Sequence, residues 1–557
     1  MSNFYFRIKP KSLDTKSLKT NYFEFYAENY DQLFESEDLY IVITGKINNI
    51  KYDELSKESF VNFFQNENFY SRLEGHFSFV IVYKKEPVYR LVTNRLGGNR
   101  LYYTSVNDTL LTSNSIFTLK ENIKQKITLN KSSLRQLMEY RWLTENESLL
   151  SGIYQTQPGE YIEFHKDKLP KLSKYWRFPI KKACNSSMSE HVERTTELLA
   201  KSMKEVIGKN DRIGLLLSGG VDSSLLGGIL KDLGVEFIAY SHRNENHPNP
   251  ELDTAVQFAK HLKVRHEIVD IKDDQVPGLF VETVKTLEQP PRSQSSIILY
   301  KLLEKMGASC NVVIYGECAD TLFGSNVVKR LKNNLQKKKL IETLGNKIPF
   351  FQLLLKKVYT SEKVDSILNT SALTHNISEA QLELNSCSKK WIDINIDNSL
   401  SFSYVGDLLE KIDKSFDSSK IELNLFKAIV FRGDCANHFQ ETSSIASKCN
   451  IQVVSPFGHN DVIDYAATLN DKVYYGNDFV KPILRKIGER HYPKELLYLT
   501  KYGFPAPYEK WLSTCLHPLW EKACIKFSLS PNDNYDNEFR WNIISLSTLL
   551  EYLEVDF

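Results

Sequence analysis

Short runs of β-branched and aromatic residues dominate the first 170 residues of the chain. Turn-forming residues such as Pro158 and Gly159 separate these runs, which lie at 40–44, 77–83, 89–93, 110–113 and 160–165. Apolar residues at helical spacing occur between them, at 57–66 and 131–140. The pattern predicts a β-rich N-terminal part with short helices beside its sheets.

The hydrophobic pattern changes at about residue 190. Apolar spacing over 190–207 predicts a helix, and buried-strand candidates then alternate with helical segments. These candidates lie at 213–217, 237–241, 266–269 and 312–315. Such alternation predicts an α/β fold with a doubly wound parallel sheet, which binds ligands at the carboxyl ends of its strands. After residue 325 the chain is predicted to be mostly helical.

The length of 557 residues allows two or more domains, each with a core of its own. The lysine-rich stretch 166–189, which includes Pro170 and Pro179, is predicted to be a linker. We therefore expect one domain over residues 1–175 and a second over residues 190–557.

Composition and charge limit the classes of function that this chain can have. The chain is 42% hydrophobic and 25% charged with a net charge of +2, so no general attraction to nucleic acid or to a membrane is expected. The eight cysteines include no CxxC pair, so neither a disulfide framework nor a zinc site is expected. Apolar runs are too short for a transmembrane helix, and the N-terminus lacks the pattern of a signal peptide. A cytoplasmic protein is therefore expected.

One loop carries a strong chemical signal. Ser218-Gly219-Gly220-Val221-Asp222-Ser223 lies between a predicted buried strand and a predicted helix. The two glycines let the backbone approach an anion, and the helix N-terminus directs N–H groups at phosphate. Ser218 and Ser223 add hydroxyl groups, whereas Asp222 would repel bare phosphate and so indicates a bridging Mg²⁺. The loop is similar to the pyrophosphate loop of enzymes that cleave ATP to AMP and pyrophosphate.

A second loop, residues 315–324, follows the last predicted strand of the sheet and includes Gly316, Glu317 and Asp320. Its acidic side chains are expected to face the same crevice as the first loop, because both follow parallel strands. Asp222 and Asp320 together could hold one Mg²⁺ against the phosphates of ATP. The alternative for Asp320 is a cap on the following helix.

The two loops together resemble the synthetase domain of asparagine synthetases and their relatives, the β-lactam synthetases and lasso-peptide cyclases. Further family motifs follow in the expected order, at 444–446, 453–457, 481–485 and 501–504. The resemblance implies two steps. A carboxylate first attacks the α-phosphorus of ATP, which gives an acyl-adenylate and pyrophosphate, and an amine then displaces AMP.

The resemblance also implies roles for individual residues. Magnesium would be held by Asp222 and Asp320, and ATP by Ser218, Gly219, Gly220, Ser223, Gly316 and Lys481. Lys501 would stabilise negative charge in the transition states. Glu317 would orient or deprotonate the incoming amine. Glu441 lies where relatives have a second acidic residue, and a structural ion pair is an equally good interpretation of it.

The chain departs from the family pattern in the second loop. The family motif GxGxDE is here Gly316-Glu317-Cys318-Ala319-Asp320-Thr321. Cys318 replaces the second glycine and is small enough to permit the turn with some strain. Thr321 replaces the glutamate, and the ATP site is expected to be retained.

The N-terminal half resembles the class II glutaminase domain, which has an Ntn-type sandwich, over 40–49 and 94–103. Its chemistry is missing. Ser2 stands where the family exposes a cysteine nucleophile. The family's Asn-Gly-Glu is here Thr44-Gly45-Lys46, and an aspartate is replaced by Asn94. We therefore expect a retained scaffold without glutaminase activity.

The leading hypothesis is an ATP- and Mg²⁺-dependent, AMP-forming amide synthetase that joins a carboxylate to an amine of a small molecule or peptide, as in lasso-peptide, β-lactam or other natural-product biosynthesis. The first alternative is an asparagine synthetase that uses free ammonia, which Glu317 favours. The second is a catalytically inactive scaffold. A homodimer or biosynthetic partner proteins are compatible with each hypothesis.

Overall fold

The computed structural model describes residues 5–10, 18–19, 23–28, 30–49, 67–106, 109–123, 126–140, 142–143, 146–165, 169–345, 418–499 and 506–555. The predicted helix at 57–66, Ser2, and the motif 501–504 with Lys501 lie outside the described residues.

Twelve strands of the described N-terminal part form two six-stranded sheets. The strands are β1 (Tyr5–Pro10), β2 (Leu18–Lys19), β3 (Phe23–Glu28), β4 (Gln32–Glu35), β5 (Leu39–Ile47), β6 (Gly75–Tyr83), β7 (Val88–Thr93), β8 (Tyr102–Val106), β9 (Thr109–Ser113), β10 (Tyr154–Gln155), β11 (Glu160–His165) and β12 (Lys171–Lys174). The strand orders are β10-β8-β9-β1-β3-β2 and β12-β11-β7-β6-β5-β4, and neighbouring strands such as β5 and β6 are antiparallel. The described helices beside them are α1 (Glu67–Tyr70), α2 (Ile116–Asn122) and α3 (Lys131–Tyr140).

The second sheet is buried on both faces, which explains the nearly continuous apolar runs of its central strands. Leu39, Ile41 and Ile43 of β5 belong to one apolar cluster. Tyr40 and Val42, which alternate with them, belong to another. Each strand therefore contributes side chains to two layers of core.

The predicted linker over 166–189 is wrong in part, because Lys171–Lys174 forms β12. This strand pairs antiparallel with β11, with Glu160 opposite Lys174. It lies at the edge of the sheet, where exposed lysines are tolerated because only one side of the strand is hydrogen-bonded. Composition indicated a linker here because an edge strand and a linker are similarly polar.

The C-terminal part contains the predicted doubly wound parallel sheet. Its strands are β13 (Ile213–Leu216), β14 (Phe237–Asn244), β15 (Arg265–Ile271), β16 (Val312–Ile314) and β17 (Gln452–Val454). They pair in the order β15-β14-β13-β16-β17, all parallel. The chain runs outward from β13 on one side and then returns to β16 on the other. The crevice expected for a ligand therefore opens at the carboxyl ends of β13 and β16.

Helices surround this sheet. Those before residue 346 are α4 (Met188–Val206), α5 (Val221–Asp232), α6 (Pro250–Leu262), α7 (Val276–Leu287), α8 (Ser295–Gly307), α9 (Ala319–Phe323) and α10 (Asn326–Gly345). Those after residue 417 are α11 (Ser418–Val430), α12 (Ala436–Lys448), α13 (Asn460–Ala466), α14 (Asp471–Tyr475), α15 (Pro482–Gly488), α16 (Lys494–Leu497), α17 (Tyr508–Ser513), α18 (His517–Lys526) and α19 (Asn537–Leu553). Short 3₁₀ turns lie at Asp273–Gln275 and Pro456–Gly458, and a π-helical turn at Phe431–Cys435 joins α11 to α12.

The two parts share apolar core. The largest cluster surrounds the parallel sheet and also includes Leu96, Tyr102 and Leu111 from the N-terminal part. A search of the described residues for a helix with the length and hydropathy of a membrane span finds none.

Candidate active site

The loop after β13 is shaped by glycine and serine. Gly219 has a φ of +83°, and a Cβ atom there would lie 2.2 Å from the backbone oxygen of Glu251, in the first turn of α6. Only glycine satisfies both conditions. Gly220 then caps the N-terminus of α5. The loop therefore presents backbone and the positive end of a helix dipole at the expected crevice.

Two predicted serines hold this loop in shape. The backbone N–H of Ser218 donates to Oγ of Ser223 at 3.1 Å, and Oγ of Ser223 donates to the carbonyl oxygen of Gly220 at 3.2 Å. The two hydroxyl oxygens are also 3.1 Å apart. The serine hydroxyls thus preorganise the backbone that the sequence predicted to bind pyrophosphate.

The second loop, residues 315–324 after β16, is called the acidic loop. It packs directly against the first loop. A Cβ atom at Gly316 would lie 3.2 Å from Cβ of Asp222. Cys318 is buried and has a φ of +70°, which is the left-handed conformation that the family's glycine would adopt without strain. The turn expected from the motif is therefore kept, with a side chain in place of the glycine hydrogen.

Lys481 joins the two predicted magnesium ligands. Its Nζ lies 2.8 Å and 2.6 Å from the two carboxylate oxygens of Asp222 and 2.8 Å from Oδ1 of Asp320. Lys481 is buried and has a φ of +61° immediately before Pro482. The structure thus brings together three residues that are far apart in the sequence.

The donor set suits a divalent cation. Mg²⁺ takes one or two carboxylates from a protein and completes its shell with water and phosphate oxygens. Asp222 is buried, whereas the side chain of Asp320 is 55% exposed and accessible to further ligands. Asp222 and Asp320 therefore fit the predicted magnesium site, and the assignment stays a prediction.

Glu317 is paired with a histidine that the sequence analysis did not identify. Nδ1 of His438, in the first turn of α12, lies 2.7 Å from Oε2 of Glu317. The hydroxyl of Ser455 donates to the backbone oxygen of Glu317 at 2.7 Å and holds the loop from the other side. A signal was present, because His438 precedes Glu441 by three residues and so shares its helix face.

The electrostatics of this pair favour opposite charges. Burial opposes ionisation of Glu317, but the charge and hydrogen bond of His438, with the charge of Arg292, hold the pKa of Glu317 below its usual value. Burial likewise disfavours the imidazolium, yet Glu317 raises the pKa of His438. Both pKa shifts therefore favour the carboxylate–imidazolium form of the pair over the uncharged form.

Glu441 does not pair with Glu317 in the described structure. Its carboxylate accepts from the backbone N–H of Arg292 at 2.7 Å and from the hydroxyl of Ser296 at 2.8 Å. The Arg292 guanidinium in turn forms an ion pair with Asp434 of the π-helical turn. Glu441 thus anchors the segment that carries Arg292 at the start of α8. Arg292 is a second site residue that the sequence analysis missed.

One thiol, Cys318, lies in the acidic loop, and a second, Cys435, lies beside it. The side-chain donor atoms of Glu317, Cys318 and Cys435 all lie within 4.8 Å of one another. Burial raises the pKa of Cys318 well above its usual value, so this thiol is uncharged at neutral pH.

Three residues that differ from the glutaminase pattern form hydrogen bonds within the structure, namely Thr44, Lys46 and Asn94. Nζ of Lys46 donates to Oε1 of Gln452, the first residue of β17, at 2.6 Å. The side-chain amide of Asn94 donates to the backbone oxygen of Gly75. Thr44 is buried and its hydroxyl oxygen accepts from the Asn99 amide at 3.4 Å. These residues now connect strands and join the two parts of the chain.

Comparisons with known proteins agree with this geometry. The family model of asparagine synthase matches residues 194–539, and that of a glutamine amidotransferase domain matches residues 58–176. An asparagine synthetase [glutamine-hydrolyzing] 1 of Bacillus subtilis (strain 168) is 22% identical over 485 residues, which are 82% of this chain and 72% of that protein.

Two further relatives match shorter stretches. The microcin J25-processing protein McjC of Escherichia coli is 24% identical over 49% of this chain and 52% of its own length. The amidase chyE of Penicillium rubens is 24% identical over 53% of this chain and 48% of its own length. The chain thus spans about half the length of these two proteins.

The resemblance found in the motifs is confirmed, because the asparagine synthase model covers more than half of the chain and the loops it includes form one crevice. The chain belongs to the asparagine synthase family, whose members are ATP-dependent ligases that form amide bonds with release of AMP and pyrophosphate.

Proposed function

We propose that this protein activates a substrate carboxylate with ATP and joins it to an amine that it does not itself obtain from glutamine. The observation that carries the proposal is the convergence of Asp222, Asp320 and Lys481 at the carboxyl ends of β13 and β16. Glu317 lies on the same loop as Asp320, so adenylation and amide formation share one crevice.

In the first step, the loop 218–223 would receive the pyrophosphate end of ATP. Bound Mg²⁺ would neutralise phosphate charge, and Asp222 and Asp320 would hold it. An oxygen of the substrate carboxylate attacks the α-phosphorus, and the bond to the β-phosphate oxygen breaks. Lys481 supplies positive charge where pyrophosphate leaves.

In the second step, the amine nitrogen attacks the acyl carbon and the bond to AMP breaks. Glu317 is the base that faces this reaction, because it is ionised and follows Gly316 directly in the acidic loop. Lys501 is proposed to stabilise negative charge in the transition states. Glu441 is proposed to contribute indirectly, because its carboxylate anchors the segment that carries Arg292.

The proposed loss of glutaminase activity is supported by the contacts of two residues that differ from the family pattern, Lys46 and Asn94. Lys46 places a positive charge where the family has a substrate-binding carboxylate, and this charge is bound to Gln452. The amide of Asn94 is bound to a backbone oxygen. We therefore propose that the domain over residues 1–175 is a scaffold for the domain over residues 190–557.

A second function has specific support. Asparagine synthetases also carry glutamate at the position of Glu317, and the Bacillus subtilis relative has that name. Synthesis of asparagine from aspartate and free ammonia is therefore the alternative. The likeness to a microcin-processing protein supports a peptide substrate instead. A cytoplasmic location and association with a second copy or with biosynthetic proteins belong to the same proposal.

Exchange of labelled pyrophosphate into ATP tests the first step. The purified chain would be assayed with Mg²⁺ and a panel of carboxylates that includes aspartate, other amino acids and peptides. We expect exchange with one class of carboxylate and none in Asp320→Asn. Absence of exchange with every carboxylate in folded protein would favour an inactive scaffold.

The nitrogen source is tested by product analysis. Asparagine formed from aspartate, ATP and ammonium would select the alternative function. Amide formed from ¹⁵N-labelled glutamine nitrogen would contradict the proposed loss of glutaminase activity.

A further inference from the structure

We propose that His438 is a positioning residue for Glu317 and that the site thereby serves an amine that arrives protonated, such as an aliphatic ammonium group. The inference rests on the proposed function and adds the chemical class of its nucleophile. It is drawn from the placement of α12 against the acidic loop.

The π-helical turn sets the face that α12 presents. The turn Phe431–Cys435 inserts an additional residue between α11 and α12 and so rotates α12 relative to α11. His438 and Glu441 then lie on one face, three residues apart. His438 contacts the acidic loop, and Glu441 contacts the segment at the start of α8. One helix face thus fixes both polypeptide segments that border Glu317.

Four charged groups surround the reaction site and balance one another. They are Glu317, His438, Arg292 and Asp434. His438 contacts Glu317 through Oε2, and Arg292 contacts Asp434. Each positive group therefore has a carboxylate partner, and the thiols of Cys318 and Cys435 beside them are buried.

The pair with His438 keeps Glu317 negative at a partly buried position. Without a positive partner, a buried carboxyl group would hold its proton and could not act as a base near neutral pH. The side chain of Glu317 is still 19% exposed, and its two oxygens offer more acceptor positions than one imidazole N–H fills. A carboxylate of this kind can receive an ammonium group and take its proton.

An N–H bond of the ammonium breaks and an O–H bond forms on Glu317. The freed electron pair forms the bond to the acyl carbon, and the carbon–oxygen bond to AMP breaks with its electrons on AMP. The second proton of the nitrogen is released to solvent as AMP leaves.

A spectroscopic experiment tests the pairing without any substrate. The full chain would be labelled with ¹³C at Cε1 of histidine, and the His438 signal identified by its loss in His438→Gln. The midpoint of its pH titration should fall in Glu317→Gln, because the imidazolium loses its carboxylate partner. An unchanged midpoint would overturn the inference.

A kinetic experiment tests the chemistry with the carboxylate that supports exchange. His438→Gln should lower amide formation with methylammonium by about 100-fold, because the base Glu317 is no longer held in position. Formation of hydroxamate with hydroxylamine, which is a weak base and mostly uncharged at pH 8, should fall far less, as should pyrophosphate exchange. The acidic limb of the rate profile should move to higher pH, because Glu317 loses its positive partner.

The matched control is His261→Gln, a histidine on the exposed side of α6, which should behave as wild type in each assay. An equal loss with methylammonium and hydroxylamine would show a structural role and contradict the inference. Absence of exchange in the wild type would instead contradict the proposed function, and the titration would still decide the pairing.

Discussion

Lys481 places a single positive charge between two carboxylates of unequal burial. Asp222 and Lys481 are both buried, whereas half of the Asp320 side chain is exposed. Loss of the buried partner of an ion pair costs about 3–5 kcal/mol, while an exposed pair contributes about 1 kcal/mol or less. The two aspartates are therefore expected to contribute differently to the stability of the fold, although the same role in binding magnesium is proposed for both.

Substitution of each aspartate separates these effects. Asp222→Asn and Asp320→Asn should each abolish release of pyrophosphate. Asp222→Asn should also lower the free energy of unfolding by about 3 kcal/mol, and Asp320→Asn by about 1 kcal/mol or less. Pyrophosphate release and urea denaturation measure the two quantities. Near-normal release in either variant would refute the magnesium assignment.

Cys318 carries the strain that the missing glycine would avoid. Its φ of +70° costs a residue with a Cβ atom about 1 kcal/mol relative to glycine. Cys318→Gly should therefore be more stable than Cys318→Ala by about 1 kcal/mol. Both variants remove the thiol, so the difference in their thermal denaturation measures the cost of the backbone conformation alone.

Cys435 offers the matched control for this comparison. It is also buried but has a helical φ of −63°. The order should reverse there, with Cys435→Ala more stable than Cys435→Gly by about 1 kcal/mol. The same order at both positions would contradict the strain at Cys318.

Among the elements, α11 contains a buried amine beside the site. Nζ of Lys427 donates to the backbone oxygen of Ala466, at the C-terminal end of α13, at 2.7 Å. It also lies 4.9 Å from the centre of the Tyr474 ring. The hydroxyl of Tyr474 donates to the backbone oxygen of Asp320 at 3.2 Å. Lys427 thus contacts α13 and the ring of Tyr474, and Tyr474 in turn holds the backbone of Asp320 in the acidic loop.

This amine should make stability depend on pH. Burial lowers the pKa of Lys427 to about 7 against the opposing charge of Asp471, while the unfolded chain keeps a value near 10.5. Between these values the unfolded chain binds one more proton, so stability rises with pH. Relative to Lys427→Met, the wild type should gain about 1 kcal/mol for each unit from pH 7 to pH 9. A pH-independent difference in urea denaturation would contradict this.

At the scale of the whole molecule, Glu288 joins the two parts. It lies after α7 and accepts from the hydroxyl of Ser115 at 2.6 Å and from the backbone N–H of Ile116 at 2.7 Å. The carboxylate therefore caps the N-terminus of α2 across the contact between the parts. Arg95 makes a second connection, because it pairs with Glu74 and donates to the backbone oxygen of Gly458 at 2.7 Å.

Removal of the Glu288 cap should loosen this contact. Glu288→Ala should lower the free energy of unfolding by about 1–2 kcal/mol and speed hydrogen exchange over 115–119. Glu121→Ala, which removes an exposed carboxylate from the same helix, is the control and should change stability by less than about 0.5 kcal/mol. Equal effects of the two substitutions would refute a special role for Glu288.

Much of the fold could be predicted from local pattern. Alternating strands and helices after residue 190 predicted the parallel sheet, and the motif loops follow β13 and β16 as expected. The strand β17 was not predicted because the polar Gln452 interrupts its apolar run and because the chain after residue 325 was predicted to be mostly helical. The edge strand β12 was missed because its composition is that of a linker.

The sequence by itself determined which residue types could bind pyrophosphate and magnesium, because glycines, hydroxyls and carboxylates at fixed spacing have few other uses. Only the tertiary structure decided the partners of these groups. Lys481 lies 161 residues after Asp320, and His438 lies 121 residues after Glu317. Such pairs form because parallel strands and the rotated helix α12 bring distant segments to one crevice, and no local spacing records that placement.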